Sequence, residues 1–209
     1  MSPRSAGDFA AALAPHFQLE DLEQSSAIVF GLWADLSLAY CNPAWKIFAG
    51  CNGGEPRLAS ADCIGANYLE AIAEPLRPFY RALLARASEP GESLHPVSHL
   101  YECSSPTLFR KFSVHVYALP GRAGFVVVNA LVVETSHDAA ERPPQEPAHH
   151  RYASANGVIL QCAHCRLVQR VAEPMQWDWV PDWVASSPAE ISHGICQVCA
   201  EYFYPQHAA

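Results

Sequence analysis

Ala27-Ile-Val-Phe-Gly-Leu-Trp33-Ala-Asp35, followed by Leu38-Ala-Tyr-Cys41-Asn42-Pro43-Ala-Trp45, decides the reading of the first half of the chain. Ala27 to Trp33 is rich in β-branched and aromatic residues, which suit a pleated, half-buried strand. A turn is expected near Asp35, and Leu38 to Cys41 reads as a second short strand. Asn42-Pro43 then starts a helix, because asparagine caps a helix well and proline is tolerated in its first turn. Ala44, Trp45 and Phe48 give this helix an apolar face, and Gly50 can end it.

Downstream, a second helix is expected from Asn67 to Ala73. A third is marked by Leu76, Phe79, Tyr80, Leu83 and Leu84 at helical spacing, with Gly91 closing the stretch. Three strands follow. Val97 to Cys103 sets Ser98 and Glu102 opposite His99 and Tyr101. Leu108 to Leu119 places Phe112, Val114, Val116 and Ala118 on one face. Pro120-Gly121 and Gly124 make a turn, and Phe125 to Val133 is an apolar run that favours a strand. Two strands, several short helices and three strands predict an α+β fold: a five-stranded antiparallel sheet with short helices on one face.

These residues resemble the PAS family of sensor domains. Gly31-Leu-Trp-Ala-Asp35 with Leu38-Ala-Tyr-Cys-Asn-Pro-Ala-Trp45 is similar to the PAS opening of strand, Asp turn, strand and Asn-Pro helix start. Ile64-Gly65-Ala-Asn-Tyr-Leu69 looks like the segment leading into the next helix. Ser104-Ser-Pro106, Phe109-Arg110-Lys-Phe112 and Leu119-Pro-Gly121 resemble the last hairpin of some bacterial PAS domains. The resemblance implies sensing of a small molecule, cofactor binding or dimerisation. It implies a pocket between the sheet and the short helices, lined here by Phe30, Leu32, Phe48, Tyr68, Phe112, Val114 and Val126, with its ligand unknown. The same side chains can simply fill a core. The Gly-x-Asn-Cys-Arg-Phe-Leu-Gln motif of flavin-binding PAS domains is missing, and the surroundings of Cys63 do not replace it. Haem would need an axial histidine. His95, His99 and His115 are available, but His115 lies on the face opposite Phe112 and His99 reads as an ordinary strand histidine. Cys41, Cys51, Cys63 and Cys103 are candidate redox thiols, with buried structural cysteine as the plainer reading.

The whole chain has 209 residues, half of them hydrophobic and 16% charged, a globular composition sufficient for one or two domains. Residues 1–21 read as an N-terminal extension with a short apolar helix around Phe9 to Leu13. Residues 22–134 form the PAS-like domain. Residues 135–156, polar and proline-rich with no apolar periodicity, read as a linker. Residues 157–209 form a separate small block. The net charge of −8 opposes attraction to nucleic acid or anionic membrane. No apolar run reaches the roughly 18 residues of a membrane span, and Met1-Ser-Pro-Arg-Ser-Ala-Gly-Asp lacks the features of a secretory signal. A cytoplasmic protein is expected, whose eight cysteines are metal ligands and thiols rather than disulfides.

The last block carries the sharpest motif. Cys162-Ala-His-Cys165 and Cys196-Gln-Val-Cys199 are two C-x2-C knuckles. Two sulfurs three positions apart can face one ion where the backbone turns between them, and two such turns supply four thiolates in tetrahedral geometry. Cys162, Cys165, Cys196 and Cys199 are therefore expected to hold one structural zinc, whose binding contributes much of the folding free energy of so short a block. A redox Cys-x-x-Cys and an iron–sulfur centre are the other chemistries open to these residues. His164 and His193 are possible substitute ligands, with a supporting hydrogen bond the plainer role for His193.

The block resembles a C-terminal extension of bacterial sensory proteins. The residues that carry the likeness are Val158-Ile-Leu-Gln-Cys162, Trp177, Trp179 and Ser192-His-Gly-Ile-Cys196-Gln-Val-Cys199. In that context the tryptophans of Met175-Gln-Trp-Asp-Trp-Val-Pro are expected to cover the knuckle; exposed, they would mark a partner surface. Residues 157–209 hold two arginines and no lysine against five acidic residues, so phosphate binding is not expected. The resemblances together imply a non-catalytic signal-transduction protein that acts through a protein partner or a homodimer. A haem- or thiol-based redox sensor is the first alternative, and an enzyme of unknown type the second. No Ser/His/Asp set, open metal site, kinase signature or nucleotide loop can be assembled from the sequence.

Overall fold

The computed structural model describes residues 6–14, 16–52, 63–89 and 95–205. The expected helix stop at Gly91 lies outside them. The fold is α+β. Five strands, β1 (Ile28–Trp33), β2 (Leu38–Cys41), β3 (Val97–Glu102), β4 (Leu108–Ala118) and β5 (Gly124–Ser136), form one antiparallel sheet in the order β2-β1-β5-β4-β3. The turn after β1 is made as Asp35 suggests. Its carboxylate accepts from the Ser37 backbone N–H at 3.1 Å and the Ser37 hydroxyl at 2.6 Å, and Leu36 takes φ 64°. The chain divides into two compact units. The first comprises Met1–Ile72, Tyr80–Leu100 and Ser113–Leu131; the second comprises Ala73–Phe79, Tyr101–Phe112 and Val132–Ala209.

In the first unit, α1 (Ala6–Leu13), α2 (Leu19–Gln24), α3 (Pro43–Cys51) and most of α4 (Arg77–Ala87) accompany β1 and β2. Asn42 does more than cap α3. Its Oδ1 accepts from Trp45 N at 2.9 Å, as expected of a cap, and also from Val29 N at 3.0 Å. Its Nδ2 faces the carbonyls of Leu22, Ser25 and Ala27 at 2.9–3.2 Å. A fully buried amide thus satisfies backbone groups of α2, β1 and α3 that would otherwise cost about 1–3 kcal/mol each. Helix α3 runs through Gly50 to Cys51. The segment expected as a helix from Asn67 folds as a 3-10 turn over Tyr68–Ala71, capped by Asn67 Oδ1 on Leu69 N at 2.9 Å.

Helices lie against both faces of the sheet, where the sequence suggested one. Strand alternation explains how. Phe30 pairs with Val127 and Leu32 with Phe125, so these side chains share a face, and there the Phe30 ring meets Trp45 of α3 at 4.9 Å. Gly31 pairs with Val126 on the opposite face. That face carries Val29, Ala39, Leu119 and Val126, and Phe9, Leu13 and Leu22 of α1 and α2 bury it. The Phe9 ring lies so close that a Cβ on Gly31 would be 2.0 Å from Cζ. The missing side chain at Gly31 makes room for that ring. Residues read as an extension before the domain therefore contribute to its core, because the sheet's second apolar face must also leave water.

The second unit contains a four-stranded sheet of order β8-β7-β6-β9, from β6 (Ile159–Cys162), β7 (Val168–Gln169), β8 (Trp177–Asp178) and β9 (Ile191–Gly194). Strands β6 and β9 are parallel; the other pairs are antiparallel. With α5 (His149–Tyr152) and α6 (Pro181–Ala185), it packs Tyr152, Ile159, Val168, Val180 and Trp183 into a small core, and α7 (Gln197–Phe203) follows β9. Residues 135–156 are part of this packing. Tyr152 is buried in the core, and Gln145 N donates to Trp179 O at 2.8 Å. Proline and charge hide that role, since one buried tyrosine produces no period. Among the described residues no helix is long and apolar enough to cross a membrane.

Candidate metal centre

The two knuckles meet because β6 and β9 run side by side in the same direction. Leu160 pairs with Ser192 and Cys162 with Gly194, and Ala163 N donates to Gly194 O at 2.8 Å. The first knuckle is the tight turn from β6 to β7. Arg166 adopts φ 62°, and Arg166 N reaches back to Cys162 O at 3.0 Å. The second is the entry into α7: Cys196 is its N-cap residue, Cys199 lies in its first turn, and Ala200 N donates to Cys196 O at 2.8 Å.

All four sulfurs are brought together. Cys162, Cys165, Cys196 and Cys199 are buried, and their Sγ atoms lie within 4.8 Å of one another. Sγ of Cys165 and Cys196 are 3.7 Å apart. Four sulfurs at about 2.3 Å from one tetrahedral ion would be about 3.8 Å apart, so the cluster fits a single ion. The backbone N–H of Cys196 donates to Cys162 Sγ at 3.4 Å, a bond suited to a thiolate. The neighbouring thiols of Cys165, Cys196 and Cys199 also favour ionised sulfur at Cys162, whereas hydrogen bonding to Cys162 keeps the Cys165 proton in place. Four buried thiols cannot all ionise together without a cation to take up the charge.

Neither histidine joins the sulfurs, since among the described residues the group that can hold a metal consists of the four cysteines. His164 is buried and stacks on Phe203 at 3.6 Å, with Nε2 3.3 Å from the Tyr204 hydroxyl. His193 is exposed on β9, opposite Gln161. The tryptophans separate. Trp177 is half-buried and borders a groove that Cys196 also lines. Trp179 is buried elsewhere, its ring 4.2 Å from His137.

The pocket residues expected from the first block do not form one set. Phe30 and Leu32 are buried on the α3 face, where Phe30 also meets Tyr68 at 5.1 Å; Phe48 and Tyr68 are half-buried. Phe112 and Val114 are buried on β4, with Phe112 stacked on Tyr101 at 5.7 Å. Val126 faces the other way, toward Phe9. Sequence alternation was correct within each strand, but register across strands determined which residues share a face. Cys41 and Cys63 are buried together, and burial, then the Cys63 thiol, push the Cys41 thiol up. Burial likewise pushes Cys103 up.

Two polar clusters had no signal in the sequence. Arg142 pairs with both carboxylate oxygens of Glu102 at 2.5 and 2.8 Å, and its guanidinium lies 5.2 Å from the Phe109 ring and 5.0 Å from Trp179. Asp178 accepts from Arg170 at 2.6 and 3.0 Å and from the Tyr152 hydroxyl at 2.8 Å. Burial pushes the Asp178 carboxyl up, but Arg170 and Tyr152 outweigh it and hold the group below its usual range. Both clusters join residues far apart in the chain, so only the fold reveals them. Compared with known protein families and with curated proteins, the chain matches none.

Proposed function

We propose that this is a non-catalytic sensory protein of the cytoplasm, a PAS-like sheet followed by a module that one structural zinc ion holds together. The observation that carries the proposal is the set of four buried sulfurs within 4.8 Å of one another. Such a set leaves no open coordination position, so the metal's work is to fold the module rather than to activate water. Zinc suits it because thiolate softness and tetrahedral geometry both favour that ion. The sensory part is supported by the strand, Asp35 turn, strand and Asn42-capped helix that the PAS resemblance implied. Thiol-based sensing finds less support, since Cys41 and Cys103 are held as protonated thiols and the thiolate is the reactive form.

Native mass spectrometry of the protein purified from cells tests both parts at once. One zinc per chain is expected, together with any retained pocket ligand. Cobalt(II) exchanged into the site should give the absorption of a tetrahedral tetrathiolate. Purified, folded protein without metal would sink the zinc assignment; multiple turnover abolished by one substitution among the sheet residues would sink the non-catalytic one.

A further inference from the structure

Beside the sulfur cluster, Met175, Trp177 of β8 and the outer side of α7 border a groove of about 330 Å³. Leu167, Met175, Trp177 and Val198 form its apolar walls, Glu201 stands at its side, and Cys196 contributes to its floor. Met175 is 72% exposed and Val198 75%. Neither belongs to the core of Tyr152, Ile159, Val168, Val180 and Trp183. A partner that covered them would take this apolar surface out of water.

The charge around the groove determines what that partner must carry. Glu201 is an exposed carboxylate whose Oε1 accepts from Gln197 Nε2 at 2.9 Å, a neutral donor that leaves its negative charge in place. Four thiolates around one divalent ion add a net charge of −2 (four negative, two positive) at the floor. Of the two arginines in residues 157–209, Arg170 is already committed to Asp178 and Glu173, and Arg166, exposed in the turn between Cys165 and Leu167, offsets one of these charges without reversing their sign. The face of Trp177 is a further attraction for a cation, and Met175 can adapt to an irregular apolar side chain. Nucleic acid and anionic membrane would be repelled, and a second copy of a chain with net charge −8 is a poor fit.

We infer that this groove docks a segment of a partner protein that presents an aliphatic side chain next to lysine or arginine. The inference takes two of its negative charges from the proposed zinc site; the apolar walls and Glu201 do not depend on it.

Selection of a random-peptide library against the full-length, metal-loaded protein tests this. Recovered peptides should pair an aliphatic residue with a basic one. Val198→Lys should weaken the selected peptides about tenfold or more, as for truncation of a central interface contact. Glu201→Gln should weaken them severalfold, less so at high salt. Val198 lies between Cys196 and Cys199, so Met175→Lys, at an exposed groove position outside both knuckles, is the companion variant: it should weaken the peptides as well while zinc content and melting temperature stay unchanged. Acidic or neutral peptides, no peptides at all, or equal binding to Val198→Lys would overturn the inference. The two readings fail separately. Basic peptides that bind metal-free protein and remain sensitive to Val198→Lys would support the groove while the zinc assignment falls. Zinc-loaded protein that recovers no such peptide would remove the groove and leave the zinc.

Discussion

The core around Gly31 and the cluster around Cys162 meet the same need in different ways. In the first unit a broad apolar surface excludes water: Phe9, Leu13, Leu22, Val29, Ala39, Leu119 and Val126 are buried together, and Asn42 satisfies the backbone groups that this burial strands. In the second unit the buried apolar cluster of Tyr152, Ile159, Val168, Val180 and Trp183 is smaller. Beside that cluster the four buried sulfurs occupy the junction of β6, β9 and α7, where a bound ion would join the chain segments that apolar contact joins in the first unit. The difference teaches where each unit is vulnerable. Loss of one contact should leave the first unit weakened but folded, whereas the second should depend on one ion.

Metal removal should therefore have the largest effect. Structural zinc contributes apparent free energies of about 10–16 kcal/mol in small zinc-folded peptides, comparable to the whole stability of a typical domain, about 5–15 kcal/mol. Chelation, or Cys165→Ser, should abolish the β6–β9 pairing and expose Trp179 and Trp183. Hydrogen exchange should show protection lost at Gln161 and Cys162 but kept at Val29 and Phe30. Protection retained in both units after chelation would break the comparison, because the second core would then suffice by itself.

How much of this was legible in the sequence follows the same division. The sulfur cluster could be read from spacing alone, since a C-x2-C turn constrains its two ligands locally and only the pairing of the knuckles is long-range. Strands β1, β2, β4 and β5 were legible from local composition, and the Asn42 cap from its neighbour Pro43. What the sequence hid was mostly partnership across distance. Phe9 is read as part of an extension until Gly31 is seen to leave a space under its ring. Val126 looks like a pocket residue until its pairing with Gly31 turns it to the other face. Arg142 reads as linker charge until Glu102, forty positions away, is beside it. Asn67 to Ala73 reads as a helix in sequence, whereas the chain makes only a 3-10 turn over Tyr68–Ala71 capped by Asn67.

The Phe9–Gly31 contact gives the next largest effect and probes the apolar side of the comparison. Phe9→Ala should cost about 3–5 kcal/mol, the usual range for a buried phenylalanine. Gly31→Ala should cost about 1–3 kcal/mol, because its Cβ would collide with the Phe9 ring. In Phe9→Ala the obstacle is gone, so adding Gly31→Ala should be nearly neutral. Urea unfolding of the four proteins measures the coupling. Strict additivity would mean that the ring and the glycine do not meet, and α1 would lose its place in the core.

Acid should distinguish the units next. The Asp178 carboxyl is held below its usual range by Arg170 and Tyr152 against the pull of burial. Its contribution is then complete above the unfolded value of about 3.9 and is lost as pH falls through the lower folded value. Asp178→Asn should cost about 1–2 kcal/mol at pH 7, as expected for partly buried hydrogen bonds to a charge, and should flatten this part of the acid limb. Sulfur protonation is common to both proteins, so the difference between their acid titrations isolates the carboxylate. Parallel titrations would show that Arg170 and Tyr152 do not hold it.

His99 supplies the smallest effect, confined to the first unit. Burial, and secondarily the Arg86 charge, hold its imidazole below the ordinary value. A histidine kept neutral in the fold binds its proton more readily once unfolded, at a pKa of about 6.5. Stability should thus be complete above that value, fall as pH drops from about 6.5 toward the folded pKa, and level off below it. One such group can change stability by no more than about 1.4 kcal/mol per pH unit. Urea midpoints of the first unit, followed by exchange at Val29 and Phe30, should decline between about pH 7 and 5.5 in the wild type and less in His99→Gln. An unchanged slope would show that burial and the Arg86 charge do not hold the His99 imidazole neutral.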